Sequence, residues 1–269
     1  MVNFTAIIGI GLATALLAAC SAPQHGPLPA IAAATGTGQR ILVVVTSHDR
    51  LGETGEKTGY WLSEVAHFDR VVRAHGYGVD FVSPKGGKPP LDERSNDTAD
   101  ADNAAFLADA AAVAQLNASA TPTAVRADDY AAIYYAGGHG PMWDLPDNQE
   151  LAALARAIYE RGGVVAAVCH GPAGLLHLTL GDGTLLLAGR PVTGLSNTEE
   201  WLSGKSKAVP FSLQDELTKR GGRYEKATLP FGSFVRVSDR LITGQNPASA
   251  RAVAEAVVAV LQALRAGRR

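Results

Sequence analysis

Short apolar runs alternate with segments of helical spacing along most of the chain, and this alternation limits the possible folds more than any other feature. The runs at 41–46, 131–135 and 163–168 carry no charge and are rich in valine, isoleucine or alanine, which is typical of strands buried on both faces of a sheet. Further strands are predicted at 79–83, 234–237 and 241–243, and helices at 60–75, 99–116, 148–161 and 247–264. The alternation predicts a three-layer α/β sandwich with a mainly parallel central sheet.

Composition favours a folded domain over a disordered chain. The 269 residues are 46% hydrophobic and 19% charged, which is sufficient for a substantial core. The net charge is −2, and basic residues are scattered, so nucleic acid is not a predicted partner. Because no repeat or linker interrupts the sequence after residue 40, we predict that residues 40–269 form one domain.

The N-terminal residues 1–19 are predicted to be a signal peptide. The apolar stretch at 7–19 is too short to span a bilayer comfortably. The segment 17–20, which reads Leu-Ala-Ala-Cys, resembles a bacterial lipoprotein box, in which cleavage precedes the cysteine and the thiol of Cys20 carries lipid. Residues 20–39 would then be a flexible tether rich in proline, alanine and glycine.

These features predict a lipid-anchored protein of the bacterial cell envelope, which contacts the membrane only through its N-terminal lipid. One departure from the pattern is that residues 1–5 contain no lysine or arginine. A plain signal or an uncleaved anchor therefore stays open, as does a soluble secreted or periplasmic protein.

Cys169 follows directly on the apolar run 163–168, where a strand, a tight turn and a helix start are predicted to meet. Small residues, Ala167 and Gly171, lie two positions to either side, as in a nucleophile elbow, a strained turn that points its side chain into a cleft. The N–H groups of a helix N-terminus would favour the thiolate. An inert buried thiol is the alternative, but the adjacent His170 favours catalysis because an imidazole can take the thiol proton.

Glu64 is the next candidate for a chemical role. On the predicted helix it shares a face with Tyr60, Trp61 and Phe68, at spacings of three and four residues. Burying a carboxylate among aromatic side chains is costly and raises its pKa, which makes it a plausible proton carrier. The alternative is a carboxylate at the edge of the stripe that reaches solvent.

A glycine-rich segment, Gly-Gly-His-Gly at 137–140, follows the predicted strand 131–135. Consecutive glycines let the backbone approach a ligand and present N–H groups to a developing oxyanion. A plain tight turn is the alternative reading. For His139 a structural role is favoured over direct proton transfer.

Acidic residues and other histidines complete the candidate set. Glu199 and Glu200 follow residues that could cap a short helix, so either carboxylate could orient His170 or only stabilise the helix end. The histidines show no compact metal-ligand spacing, and no dinucleotide fingerprint is present in the folded part, so no metal or other cofactor is predicted. The histidines considered were His48, His67, His75 and His139.

Several segments, in order along the chain, are together similar to the ThiJ/PfpI superfamily, whose fold is flavodoxin-like and like that of the class I glutamine amidotransferases. Within it the chain resembles the branch of heat-shock chaperones with glyoxalase III activity. The matching segments are 58–64, 83–92, 137–140, 167–172 and 243–249.

The resemblance implies roles for individual side chains. Cys169 would be the nucleophile and His170 its partner, with Glu200 chosen over Glu199 to orient the imidazole. Glu64 would touch the cysteine and relay protons. Oxyanion and substrate-binding groups would lie at Gly137, Gly138 and His139, with the backbone N–H groups of Gly138 and His170 forming the oxyanion hole.

The implied reaction converts a small carbonyl substrate, a 2-oxoaldehyde such as methylglyoxal, to a 2-hydroxy acid without glutathione, metal or other cofactor. It would be a lyase of the hydro-lyase type, with deglycase activity on glycated thiols or amines as an extension. A cysteine-dependent amidase or peptidase and a holding chaperone or redox stress protein are alternatives. Glu64 favours the lyase, because simple acyl transfer needs no second carboxylate against the thiol. Homodimers are common among relatives.

Overall fold

The computed structural model describes residues 37–267. The predicted signal peptide, the lipidated Cys20 and most of the tether therefore lie outside the described residues. The strands are β1 (Arg40–Val44), β2 (Gly78–Val82), β3 (Tyr130–Tyr135), β4 (Val164–Val168), β5 (Pro191–Val192), β6 (Arg223–Tyr224), β7 (Val235–Ser238) and β8 (Leu241–Gly244). The helices are α1 (Leu62–Ala74), α2 (Ala101–Ala108), α3 (Ala110–Asn117), α4 (Pro141–Asp144), α5 (Gln149–Glu160), α6 (Asn197–Leu202), α7 (Leu213–Lys219) and α8 (Ala250–Ala266).

The main sheet has the strand order β2-β1-β3-β4-β8-β7. Its first five strands pair in parallel, and β7 pairs antiparallel to β8 at the edge. Between these two strands, Asp239 adopts a left-handed conformation with φ of +56°, which short polar side chains tolerate. A separate parallel pair joins β5 and β6. The prediction of an α/β fold with a mainly parallel sheet is confirmed.

The two faces of the sheet are covered by different helices, because successive side chains on a strand point to opposite sides. On one face, Ile133 and Tyr135 of β3 share a core with Leu151 and Ile158 of α5. On the other face, the Tyr134 ring stacks on Phe68 of α1 with centroids 3.7 Å apart. The result is the predicted arrangement of three layers.

The C-terminal helix α8 closes the second face. By length and apolar composition it could cross a membrane, but Val253, Val257 and Leu261 are buried, and the helix packs against α1, β4 and β8. It is therefore a core helix of this fold.

Two predicted elements differ from the structure. The single helix expected at 99–116 is two helices, because Asp109 leaves the helical conformation and its carboxylate caps α3 by accepting bonds from the N–H groups of Ala111 and Ala112. The helix expected directly after Cys169 is a 3-10 turn at Gly171–Leu175. The polar region after residue 180 also contains short elements that periodicity did not reveal, namely β5, α6, α7 and β6.

Candidate active site

The sheet edge at the carboxyl ends of β3 and β4 positions the candidate nucleophile. Cys169 has φ of +57°, so the predicted strained turn is present. The elbow is packed so closely that a Cβ atom at Gly171 would lie 2.2 Å from the carbonyl oxygen of Tyr135. Glycine is therefore required two residues after the cysteine, and this close contact fixes the direction of the thiol.

The Cys169 thiol lies in a nearly dry environment, since the residue is 4% exposed. Burial raises the pKa of the thiol well above its ordinary value, and negative charge on Glu64 raises it further, against a hydrogen bond from the Gly138 N–H. The expectation that a helix N-terminus would favour the thiolate is thus wrong. The element that follows is only a short 3-10 turn, and desolvation outweighs its dipole.

His170 is placed to take the proton that this thiol retains. Its Nδ1 atom lies 3.4 Å from Sγ of Cys169, because the tight turn brings two adjacent side chains to one side. Its Nε2 atom lies 2.6 Å from Oε2 of Glu200. Cysteine, imidazole and carboxylate thus form a line of hydrogen-bonding groups of the kind that activates a nucleophile.

Of the two adjacent glutamates, the structure brings Glu200 to His170 and gives Glu199 a different task. The side chain of Glu199 accepts the N–H of Ser196, whose hydroxyl in turn accepts the N–H of Glu199, which forms a capping box at the start of α6. Glu199 also accepts a bond from Asn246. It is the structural carboxylate of the pair.

Glu64 lies on the other side of the sulfur and is completely buried. Burial raises its pKa to about 8, although the N–H of Gly137 and the thiol of Cys169 act in the opposite direction. Its Oε2 accepts the Gly137 N–H at 2.6 Å, whereas Oε1 has no nitrogen or oxygen partner within residues 37–267. At neutral pH this carboxyl group therefore carries a proton next to the thiol.

The predicted glycines lie against these groups. A Cβ atom at Gly137 would come within 2.8 Å of Cys169, Glu64 and His170, so a side chain there would fill the reaction site. The Gly137 N–H is used by Glu64, and the Gly138 N–H points to the sulfur of Cys169. Of the two glycines, Gly138 is thus the one with an N–H beside the position where an oxyanion would form.

His139 is buried beside His170 rather than exposed to a substrate, with ring centroids 4.4 Å apart. Its Nε2 lies 2.9 Å from Oε1 of Glu200. Its Nδ1 lies 3.1 Å from Nη2 of Arg94, a residue that sequence reasoning missed. The only signal for Arg94 was its position two residues after Asp92, the last residue of a segment already matched to the superfamily.

Together, His139, His170 and Glu200 could offer three ligand atoms to one metal ion. The hydrogen bonds do not suit this use. The guanidinium of Arg94 can only donate, so the Nδ1 of His139 carries no proton and its Nε2 atom is protonated toward Glu200. A metal at this point would need an unprotonated Nε2. The cluster is therefore arranged to hold protons.

Comparison with known proteins identifies the family of this chain. Residues 58–260 match the model of the DJ-1/PfpI family. The chain belongs to the DJ-1/PfpI family. This confirms the resemblance to the ThiJ/PfpI superfamily that the motifs indicated.

Three relatives within the DJ-1/PfpI family align over nearly their whole length. The chain is 35% identical over 231 residues to the glutathione-independent glyoxalase HSP31 of Saccharomyces cerevisiae, covering 80% of this chain and 95% of that protein. The structure of the Rapid Encystment Protein 24 kDa from Francisella tularensis has a TM-score of 0.80 at 38% identity, covering 83% of this chain and 99% of the other. The structure of glyoxalase III from Candida albicans has a TM-score of 0.75 at 27% identity, covering 83% and 97%.

Proposed function

We propose that this chain is a glutathione-independent glyoxalase, which converts methylglyoxal or a similar 2-oxoaldehyde and water to a 2-hydroxy acid. One observation carries the proposal. The sulfur of Cys169 lies between an imidazole that can accept its proton and a second, protonated carboxyl group, Glu64. Named relatives with glyoxalase activity support the same assignment.

The first step forms a carbon–sulfur bond. The proton of the Cys169 thiol passes to Nδ1 of His170 as the sulfur attacks the aldehyde carbon. The carbonyl oxygen gains the negative charge, and we assign its stabilisation to the Gly138 N–H, which is directed at the attacking sulfur. Protonation of this oxygen gives a hemithioacetal.

The second step moves a proton from the former aldehyde carbon to the neighbouring carbonyl carbon. Removal of the first proton gives an enediol, and protonation at the second carbon gives a thioester. One carbon is oxidised while its neighbour is reduced, so no external oxidant or glutathione is needed. We assign this transfer to Glu64 and His170, which flank the sulfur.

In the last step, water attacks the thioester carbonyl, the carbon–sulfur bond breaks, and the thiol of Cys169 is restored. The product is a 2-hydroxy acid. In reverse, the overall reaction removes water from a 2-hydroxy acid, so we assign it to the hydro-lyase type.

The proposal is tested by incubating purified protein with methylglyoxal, without glutathione, and measuring lactate and its stereochemistry. Turnover is expected in the wild type, whereas Cys169→Ser lowers it by a factor of about 10³ or more. Tm from calorimetry shows whether the variant is folded. No lactate from the folded wild type, or full turnover by Cys169→Ser, contradicts the proposal.

A cysteine hydrolase would use the same thiol, imidazole and carboxylate, so it is the second candidate. The two activities differ in their need for Glu64, because hydrolysis of an activated ester requires no proton transfer between carbons. In the Glu64→Gln variant, ester hydrolysis should persist while lactate formation falls. If Glu64→Gln lowered both activities equally, the assignment of Glu64 to the proton transfer would be wrong.

For the N-terminal segment we propose that Cys20 carries lipid and anchors the protein to the bacterial cell envelope. The support is the Leu-Ala-Ala-Cys segment at 17–20. When the protein is expressed in a bacterium supplied with a labelled fatty acid, the wild type should carry the label. The Cys20→Ala variant should carry no label and should be absent from the membrane fraction. An unlabelled wild type in the soluble fraction would overturn this assignment.

A further inference from the structure

The contact between Arg94 and His139 determines where the protons lie in the whole cluster. A guanidinium has five N–H donors and no acceptor. Since Nη2 of Arg94 lies 3.1 Å from Nδ1 of His139, this Nδ1 must present its lone pair. His139 is therefore held in the tautomer that is protonated at Nε2.

This tautomer directs both imidazoles to the same carboxylate. Nε2 of His139 donates to Oε1 of Glu200 at 2.9 Å, and Nε2 of His170 donates to Oε2 at 2.6 Å. Burial opposes the ionisation of Glu200, but the positive charge of His170, present when that imidazole holds a second proton, and the two hydrogen bonds outweigh it and lower the pKa of Glu200. The carboxylate thus remains charged, with one imidazole donor on each oxygen.

The two imidazoles then differ only in the group that faces Nδ1. In His170 this atom faces the thiol of Cys169, 3.4 Å away, and is free to receive its proton. In His139 the same atom is occupied by a cation. Burial lowers the pKa of His139, and the nearby charges of His170 and Arg94 lower it further, against the opposing effect of Glu200.

We propose that Arg94 and His139 are positioning residues that keep Glu200 charged and His139 neutral, so that His170 alone accepts the proton of Cys169. Arg94 is held in place for this role. Its Nε and Nη2 donate to the two oxygens of the buried Asp92, at 2.9 and 2.6 Å. Its position under the Trp61 ring, with the guanidinium carbon 6.0 Å from the centroid, adds a further restraint.

Other charged groups near Arg94 are accounted for. Glu56 is the next acidic group beyond Asp92 that acts on Arg94. It is paired with Lys205 at 2.7 Å, so it does not compete for the guanidinium. Thr58 donates to Asp92 at 2.9 Å and keeps that carboxylate partly satisfied when the guanidinium is removed. In a variant at position 94, Asp92 therefore keeps a hydrogen-bond partner.

The decisive experiment is ¹⁵N NMR of the imidazoles over a pH range from mildly acidic to mildly alkaline. In the wild type, His139 should show an unprotonated Nδ1 and a protonated Nε2 throughout. The double variant Asp92→Asn with Arg94→Met removes the donor and its counter-charge together, which protects the fold. In that variant His139 should titrate, whereas Glu56→Gln, which leaves Arg94, Asp92 and His139 in place, should behave like the wild type.

A chemical readout connects the tautomer to the thiol without using glyoxalase turnover. The rate at which iodoacetamide alkylates Cys169, followed on its peptide by mass spectrometry, should fall roughly tenfold in the double variant. The fall should be largest at acidic pH, because a protonated His139 beside Glu200 lowers the basicity of His170. The control Glu56→Gln should stay near the wild-type rate.

These outcomes test the inference separately from the proposed function. Only the relevance of the inference to catalysis rests on that function. A wild-type His139 that titrates, or equal alkylation profiles in wild type and double variant, overturns the inference even if lactate is formed. The expected NMR and alkylation results support it even if methylglyoxal is not the substrate.

Discussion

Glu64 and Glu200 are two buried glutamates near one cysteine, yet their pKa values shift in opposite directions. Glu64 receives one backbone N–H and a thiol, and burial raises its pKa to about 8. Glu200 receives two imidazole N–H groups, and its pKa falls below its ordinary value although burial acts against this. The number and charge of the donors, rather than burial, decide which carboxyl group is ionised.

This difference gives the two residues separate chemical tasks. A group that keeps its proton at neutral pH can supply it to a substrate, whereas a permanent anion can orient an imidazole and stabilise its charged form. Four predictions test the division, and they follow in order of decreasing effect.

The largest effect is expected from Glu200→Gln. One end of a glutamine amide is a donor, so it cannot accept N–H bonds from both imidazoles, and one of them must change tautomer. By analogy with a misoriented catalytic imidazole, kcat/KM for methylglyoxal should fall by a factor of about 10³ to 10⁴. Glu199→Gln is the matched control next to it, and its kcat/KM should stay within about threefold of the wild type. Similar losses of kcat/KM in both variants would contradict the assignment of an orienting role to Glu200 alone.

A smaller loss is expected from Glu64→Gln, which keeps a group of the same size but removes the transferable proton. The kcat/KM for methylglyoxal should fall about 10²-fold. In the wild type, activity should also decline as the pH rises above about 8, because Glu64 then ionises beside the thiol. A flat profile through this range would contradict the raised pKa.

Stability should reveal the same ionisation without any substrate. The folded-state pKa of Glu64 is about 8 and its ordinary value is 4.5, so its contribution to stability is complete below about pH 4.5 and is lost as the pH rises through about 8. Glutamine does not ionise. In denaturant titrations, the free energy of unfolding of Glu64→Gln should therefore rise relative to that of the wild type as the pH increases from about 4.5, by on the order of 3 kcal/mol at about pH 7.

The control for this measurement is Glu150→Gln, at an exposed glutamate in the first turn of α5. Its difference from the wild type should not change over the same interval. A gap between Glu64→Gln and the wild type that is constant with pH would show that Glu64 is ionised in the folded protein.

The smallest effect is expected at the capping box of α6. Glu199→Gln weakens the bonds that Glu199 accepts from Ser196 and Asn246, and should lower the free energy of unfolding by about 1 kcal/mol. Thermal unfolding measures this loss. If Glu199→Gln instead left stability unchanged and lowered kcat/KM, Glu199 rather than Glu200 would be the carboxylate that orients His170.

The sequence predicted the sheet and the elbow because both depend on local pattern. The apolar runs that became β1, β3 and β4 needed no information from elsewhere in the chain. The direction of the turn at Cys169 followed from its small neighbours, Ala167 and Gly171. Helix boundaries were less accurate where one side chain decided the outcome, as at Asp109.

The network around Glu200 depends on contacts between distant segments, and local pattern could not supply it. Arg94 lies 45 residues before His139, and nothing in the spacing of the two relates a guanidinium to that imidazole. The thiolate expected at Cys169 was wrong for a related reason. The degree of burial is a property of the assembled site, and it outweighs the dipole of the turn that follows the sulfur.

The left-handed backbone at Cys169 has a consequence for the stability of the fold. Any side chain at that position incurs steric strain that a hydrogen atom would avoid, on the order of 1 kcal/mol. The fold alone would therefore do better with glycine there. The nucleophile thus holds its place at the expense of backbone strain, which Cys169→Gly would relieve while removing the thiol.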